Sequence, residues 1–183
     1  QLHPDWLKAA PETMTRSQLL ASAESTGSAD LRRLSLEYLP LYFSRRHGDP
    51  SRPWNHFSIR LTDAQGRARL AYEGNWRDIF QNWEALALSH PGWLPHVIAK
   101  FVNATTPDGF NAYRLTRDGI DWEEPEPNNP WSNLGYWGDH QIVYLTRLLE
   151  LSQRIDPSSL QAWMHKAIFS SADVPYRIAP FES

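Results

Sequence analysis

The chain has 183 residues, with 18 Lys and Arg against 21 Asp and Glu, for a formal charge of −3. A near-neutral chain without a basic stripe is not expected to grip a nucleic-acid backbone. Cysteine is absent, which excludes disulfide scaffolding, thiolate metal sites and cysteine nucleophiles. Apolar residues make up 41%, too many for a disordered chain. No apolar run is long enough to span a bilayer, so no membrane partner is expected. The start, QLHPDWLKAA, has neither a basic opening nor an apolar core, so no signal peptide is read. The cytoplasm is favoured, and the missing initiator Met points to processing or truncation.

The unusual number is nine Trp, six of which (Trp76, Trp83, Trp93, Trp122, Trp131, Trp137) lie between positions 76 and 137. Indole is costly to bury without a partner for its N–H, so such a cluster suits a partly wet cleft as well as a core.

Residues 1–27 read as a loosely ordered lead-in, with a short helix over Thr15–Ala23. A helix is predicted from Ala29 to Arg46, where Leu31, Leu34, Tyr38 and Leu41 follow the 3.6-residue period. Pro40 kinks or ends it. RRHGDPSRPW (45–54) is a loop. A small β-hairpin is predicted near residues 56–73. Phe57, Ile59 and Leu61 alternate in one arm, Asp63 to Gly66 form the turn, and Leu70 and Tyr72 lie in the second arm.

The remainder reads as helices. Asn75 caps one, with Asp78 three positions on in the manner of a capping box. Its apolar stripe is Ile79, Phe80, Trp83 and Leu86, running through Ala87. Pro91-Gly92 ends it, and Pro95 opens the next, with Val97, Ile98, Phe101 and Val102 buried. Residues 105–137 hold no long periodic run. A loop of that length, rich in aromatics, is expected to be functional. A helix follows from about Asp139 to Arg154, with Ile142, Leu145, Leu148 and Leu149 on one side, widened by Val143 and Leu151. Asp156-Pro157 then opens a last helix through Leu160, Trp163, Met164 and Ile168.

Three segments carry the chemistry. The first runs through Asn75, Trp76, Arg77 and Asp78. The second holds Tyr136, Trp137, Asp139 and His140. Each sets a carboxylate near a helix start, where backbone amides favour its ionised form, as a general base needs. The third, Asp118 to Glu124, has four carboxylates around Trp122. Crowded carboxylates raise one another's pKa, as a general acid needs. An acid, a base and aromatic platforms together suit glycosidic-bond hydrolysis. Each residue also has a structural reading. Asp78 and Asp139 serve equally as helix caps, the acidic run as a surface loop, and Arg77–Asp78 as a surface pair. Trp83 reads as core. Trp76 and Trp137 divide evenly between core and cleft, and His140 between acid–base and supporting roles. His90 and His96 lack an acidic partner at metal-binding spacing, and no EF-hand pattern surrounds Asp118, Asp121 and Glu123. No metal or cofactor is expected. The sequon Asn103-Ala104-Thr105 is read as a chance match.

YEGNWRDIFQNWEAL (72–86), KFVNATTPDGFNAYRLTRDGIDWE (100–123) and PWSNLGYWGDHQIVYLTRLLE (130–150) resemble parts of large bacterial proteins similar to the six-hairpin (α/α)6-toroid glycosidases, the glucosidase and glycogen-debranching groups among them. The resemblance covers roughly positions 54 to 155. It implies a mainly α fold, with helical hairpins forming part of a toroid-like array. The cleft would lie at one end, among loops flanking inner helices. It places Asp78 and Asp139 at the cleft rim, and Glu123 or Glu124 as the acid. Trp76, Trp122, Trp131, Tyr136 and Trp137 would shape sugar subsites, with Asn75, Arg77 and His140 reading hydroxyls. The implied substrate is an α-linked glucoside or oligosaccharide. The length falls short of a full toroid, so the chain is expected to be one domain or a fragment of a larger helical one. The rest of a toroid, or a second copy, would then be its partner. Two other readings stand beside this one: a non-catalytic carbohydrate-binding or scaffolding module, and an interaction domain with a Trp-rich interface.

Overall fold

A computed structural model describes residues 3–40, 43, 62–67, 73–116, 119–122, 127–128 and 141–173. Among these described residues, seven α-helices and three short strands follow in the order α1 (Pro4–Ala9), α2 (Arg16–Ser25), α3 (Ala29–Leu36), β1 (Glu73–Asn75), α4 (Trp76–Ser89), α5 (Leu94–Asn103), β2 (Arg114–Thr116), β3 (Ile120–Asp121), α6 (Ile142–Ile155) and α7 (Pro157–Met164). The protein is mainly helical, with one small antiparallel sheet in the order β1-β2-β3. No helix among the described residues is long and apolar enough to cross a membrane.

The lead-in is more structured than its composition suggests. α1 begins on Pro4 and docks through the Trp6 indole, which donates to Ser22 Oγ at 3.1 Å. α2 opens on a capping box: the Thr15 hydroxyl accepts from Gln18 N, and Gln18 Oε1 accepts from Thr15 N at 2.8 Å. α3 ends at Leu36, well before the expected Arg46. Pro40 explains the direction of this error, because the residue preceding a proline is steered away from helical geometry. Glu37 at the helix end holds Arg33 at 2.6 Å and Lys100 of α5 at 3.6 Å, which ties α3 to α5.

The turn expected at Asp63–Gly66 is present. Gly66 N donates to the Asp63 carbonyl at 3.0 Å, and Gly66 takes φ +75°, a conformation that favours glycine. Asp63 Oδ1 accepts from the amides of Gln65 and Arg67. The Arg67 amide, foremost, holds the Asp63 carboxyl below its ordinary pKa. The hairpin arms around Phe57, Ile59, Leu61, Leu70 and Tyr72 lie outside the described residues, as does the 45–54 loop.

α4, α5 and α6 form the body. Eight of the ten residues of α5 are buried, namely Leu94, Pro95, His96, Val97, Ile98, Ala99, Phe101 and Asn103. A helix apolar nearly all round needs neighbours on every side. α3, α4 and α6 supply them. The Pro91–Trp93 turn between α4 and α5 is a single 3-10 turn, as the Pro-Gly break predicts. α4 buries Trp76, Ile79, Phe80, Trp83 and Ala87, which matches the predicted stripe and extends it back to Trp76. The ring of Phe80 meets Trp76 at 4.8 Å, Trp83 at 5.1 Å and Phe101 at 4.7 Å. The Trp83 indole N–H is satisfied by the Phe43 carbonyl at 3.2 Å.

α6 turns differently from its predicted stripe. Leu148 and Leu151 are buried, while Ile142, Val143 and Leu149 are exposed. Glu84 of α4 and Arg147 of α6 form a two-pronged ion pair at 2.8 and 2.9 Å. α7 opens as predicted. Asp156 Oδ1 accepts from Ser158 Oγ at 2.6 Å and Ser158 N at 3.1 Å. The Ser158 hydroxyl, foremost, lowers the Asp156 pKa. The helix stops at Met164, so Ile168 is buried from the following segment rather than from α7.

The central place of Phe80 gives a test. Phe80→Ala should cost about 3–5 kcal/mol in chemical denaturation, because both its apolar transfer and its cavity are lost. Leu88→Ala, at a position 63% exposed on the same helix, should shift stability by less than about 0.5 kcal/mol.

Candidate functional site

The site sits where β1 runs into α4. Asn75 closes the strand and Trp76 opens the helix, so their positions are fixed by both sheet and core. Trp76 N donates to the Tyr113 carbonyl at 3.1 Å, which locks the junction onto the chain entering β2. In the register, Asn75 lies opposite Arg114, and Arg114 lies opposite Asp121. Directly opposed residues share a face, so an amide, a guanidinium and a carboxylate form one polar row across the three strands. Gly74, Leu115 and Ile120 form the opposite row, and Leu115 and Ile120 belong to the core.

Arg114 Nε donates to Asp121 Oδ2 at 2.7 Å, and its Nη2 donates to the same oxygen. The Asp121 side chain is 45% exposed. At the first turn of α4, Arg77 Nε reaches Asp78 Oδ1 at 3.3 Å. Adjacent helix residues seldom face each other, but this pair meets at the helix start. Asp78 is well covered, with a side-chain exposure of 14%.

The predicted cap at Asn75 is corrected. Asn75 occupies the cap position, but its side chain makes no capping hydrogen bond. It is buried in the strand row instead, and its Oδ1 has no partner. Trp76 is likewise a core residue and not an open platform. It is 0% exposed, and Phe80 and Phe101 cover it, with Phe101 at 5.0 Å. Its Nε1 is buried without a partner. Trp122 is half-buried and leans on the core from the end of β3. Of the predicted set, Asn75, Arg77 and Asp78 stand together at the β1–α4 junction, while Trp122 follows β3 and packs on the core. Glu123, Glu124, Trp131, Tyr136, Trp137, Asp139 and His140 lie outside the described residues.

Arg114 was not anticipated from the sequence. A signal existed in the dipeptide Asp118-Gly119, a common hairpin turn, with opposite charges at 114 and 121 placed almost evenly about it. The stretch read as holding no long periodic run contains β2 and β3.

Asn103 of the sequon is buried, and its Oδ1 accepts from Ser170 N at 2.9 Å. Among the described residues, no cluster of three His, Cys, Asp or Glu could hold a metal. His96 is 1% exposed between α3, α5 and α7, with its ring against Trp93 at 4.7 Å and Trp163 at 6.4 Å. Burial, reinforced by the Arg16 charge, lowers its pKa to about 4. The carbonyls of Tyr38 and Ser35 act in the opposite direction.

Compared with known proteins, the chain matches no protein-family model, and no curated protein is significantly similar to it.

His96 gives a pH test. A histidine neutral in the fold but ordinary when unfolded makes the unfolded state bind more protons below about pH 6.5. Its effect on stability is absent above that pH. Stability should then fall by up to about 3 kcal/mol as pH drops from 6.5 to 4, and this component should level off below. Denaturation at several pH values should show that slope, and His96→Gln should flatten it.

Proposed function

We propose that the chain is the carbohydrate-facing part of a larger glycosidase-like helical protein, of the (α/α)-toroid kind, that acts on an α-linked glucoside or oligosaccharide. The observation that carries this reading is the polar row Asn75–Arg114–Asp121 beside Arg77–Asp78. Amide, guanidinium and carboxylate groups are the set that reads sugar hydroxyls, because each hydroxyl both donates and accepts. Trp122 packs on the core with Ile120 and keeps its proposed place among the aromatic subsite residues. Asp78 is the base candidate among the described residues, and Glu123, Glu124 and Asp139 complete the proposed carboxylate set. Trp131, Tyr136, Trp137 and His140 are the proposed subsite residues.

A non-catalytic carbohydrate-binding module is the second reading. Asp78 and Asp121 each face a guanidinium, an arrangement that suits holding a ligand as well as moving protons.

Calorimetric titration of the 183-residue chain with a maltose series of oligosaccharides tests both. Binding is expected, weakened about ten-fold by Arg114→Ala or Asp121→Asn, the scale of one charge-assisted hydrogen bond. Far-UV circular dichroism should stay unchanged. Release of reducing sugar from the same series separates enzyme from binding module. A folded chain that binds no oligosaccharide, or one indifferent to both variants, would overturn the proposal.

A further inference from the structure

A second concavity shares no residue with the polar row. It lies between α2, α3 and the segment that follows α7, and has a volume of about 450 Å³. This is the size range of small-molecule sites. Its lining is mixed, and the apolar part comes from Leu20 of α2, Leu36 of α3, Trp163 of α7 and Ile168 beyond it. These residues, with Ala99 of α5, form a small apolar cluster separate from the main core. Trp163 is held on two sides, by His96 at 6.4 Å and by Phe169 at 6.2 Å, so one wall is fixed before any ligand arrives.

The rim is charged and unbalanced. Glu24, Arg32 and Lys166 line it. Glu24 Oε2 and Arg32 Nε pair at 2.6 Å. Glu24 is the outer partner, with a side chain 64% exposed against 34% for Arg32. Arg32 is the more covered partner, and its Nε is buried at the cavity lining. Lys166 makes no ion pair among the described residues and sits at the same mouth. One carboxylate against two cations leaves one positive charge over the cavity.

We infer that this concavity binds a small apolar monocarboxylate. The hydrocarbon body lies against Leu20, Leu36, Trp163 and Ile168, and the carboxylate meets Lys166 and the free edge of Arg32. A neutral apolar molecule would leave the mouth charge unmatched. A cation would meet Lys166 and Arg32 directly. A sugar would leave the hydroxyls that face Leu20, Leu36, Trp163 and Ile168 without partners.

The test uses 4-phenylbutanoate and its neutral counterpart 4-phenylbutanol, titrated into the full chain by calorimetry at low salt. The acid should bind about two- to five-fold more tightly than the alcohol, since an ion pair at a partly exposed rim contributes at that scale. Lys166→Glu, at an exposed position, should abolish this preference and leave the alcohol unchanged. Leu20→Trp should fill the cavity and abolish both, with an intact far-UV spectrum as the control. The inference is overturned if neither compound binds, if acid and alcohol bind equally, or if Lys166→Glu leaves the preference in place.

Discussion

The fold depends on the near-complete burial of α5. A ten-residue helix with eight buried positions cannot form one side of a two-layer structure. It must be enclosed. α4 returns along it after the Pro91–Trp93 turn, α6 covers another side, and α3 closes the third. The order of these elements is thus set by one helix that has no solvent face of its own. The same enclosure explains the lowered pKa of His96, which is one of the buried positions of that helix.

Enclosing α5 also fixes the polar row. Phe101 of α5 packs on Trp76 and Phe80 at the start of α4. That contact holds the first turn of α4, and hence the last residue of β1, against the core. β1 in turn sets the register of β2 and β3. Asn75, Arg114 and Asp121 line up because an aromatic contact beneath them leaves the strand no freedom to slip. A one-residue slip would turn Leu115 outward and Arg114 into the core, which the burial of Leu115 at 3% forbids. The unpaired Asn75 Oδ1 and Trp76 Nε1 lie at this junction, where packing has overridden hydrogen bonding.

Two boundaries were legible because they rest on local chemistry. The Pro91-Gly92 break and the Asp156-Pro157 start each act within four residues, so the sequence carries them whole. Choices made by tertiary packing were not legible. α6 is apolar on most of its circumference, so its period does not say which side faces inward; contact with α5 selects Leu148 and Leu151 over Ile142 and Leu149. Trp76 was ambiguous for a related reason. Its neighbours Arg77 and Asp78 are polar, and only the position of Phe101, on another helix, decides its burial. Strands of two and three residues are too short for alternation to register, so the Arg114–Asp121 pair escaped a reading based on periodicity.

The two apolar clusters meet along α5, and they are unequal. The larger contains both buried indoles of α4 and most of α5; the smaller rests on the buried residues Leu36, Ala99 and Ile168, with Leu20 and Trp163 partly covered. Less buried apolar area means a lower free energy of local opening, so the region of α2, α3 and α7 opens before the body does. His96 stands at the seam, touching Trp93 on one side and Trp163 on the other. Protonation there charges a group that has no room for water, and the least costly relief is to part the weaker cluster. Acid therefore acts first on the side that carries the 450 Å³ concavity, while the larger cluster, and the polar row anchored to it through Trp76, holds until global unfolding.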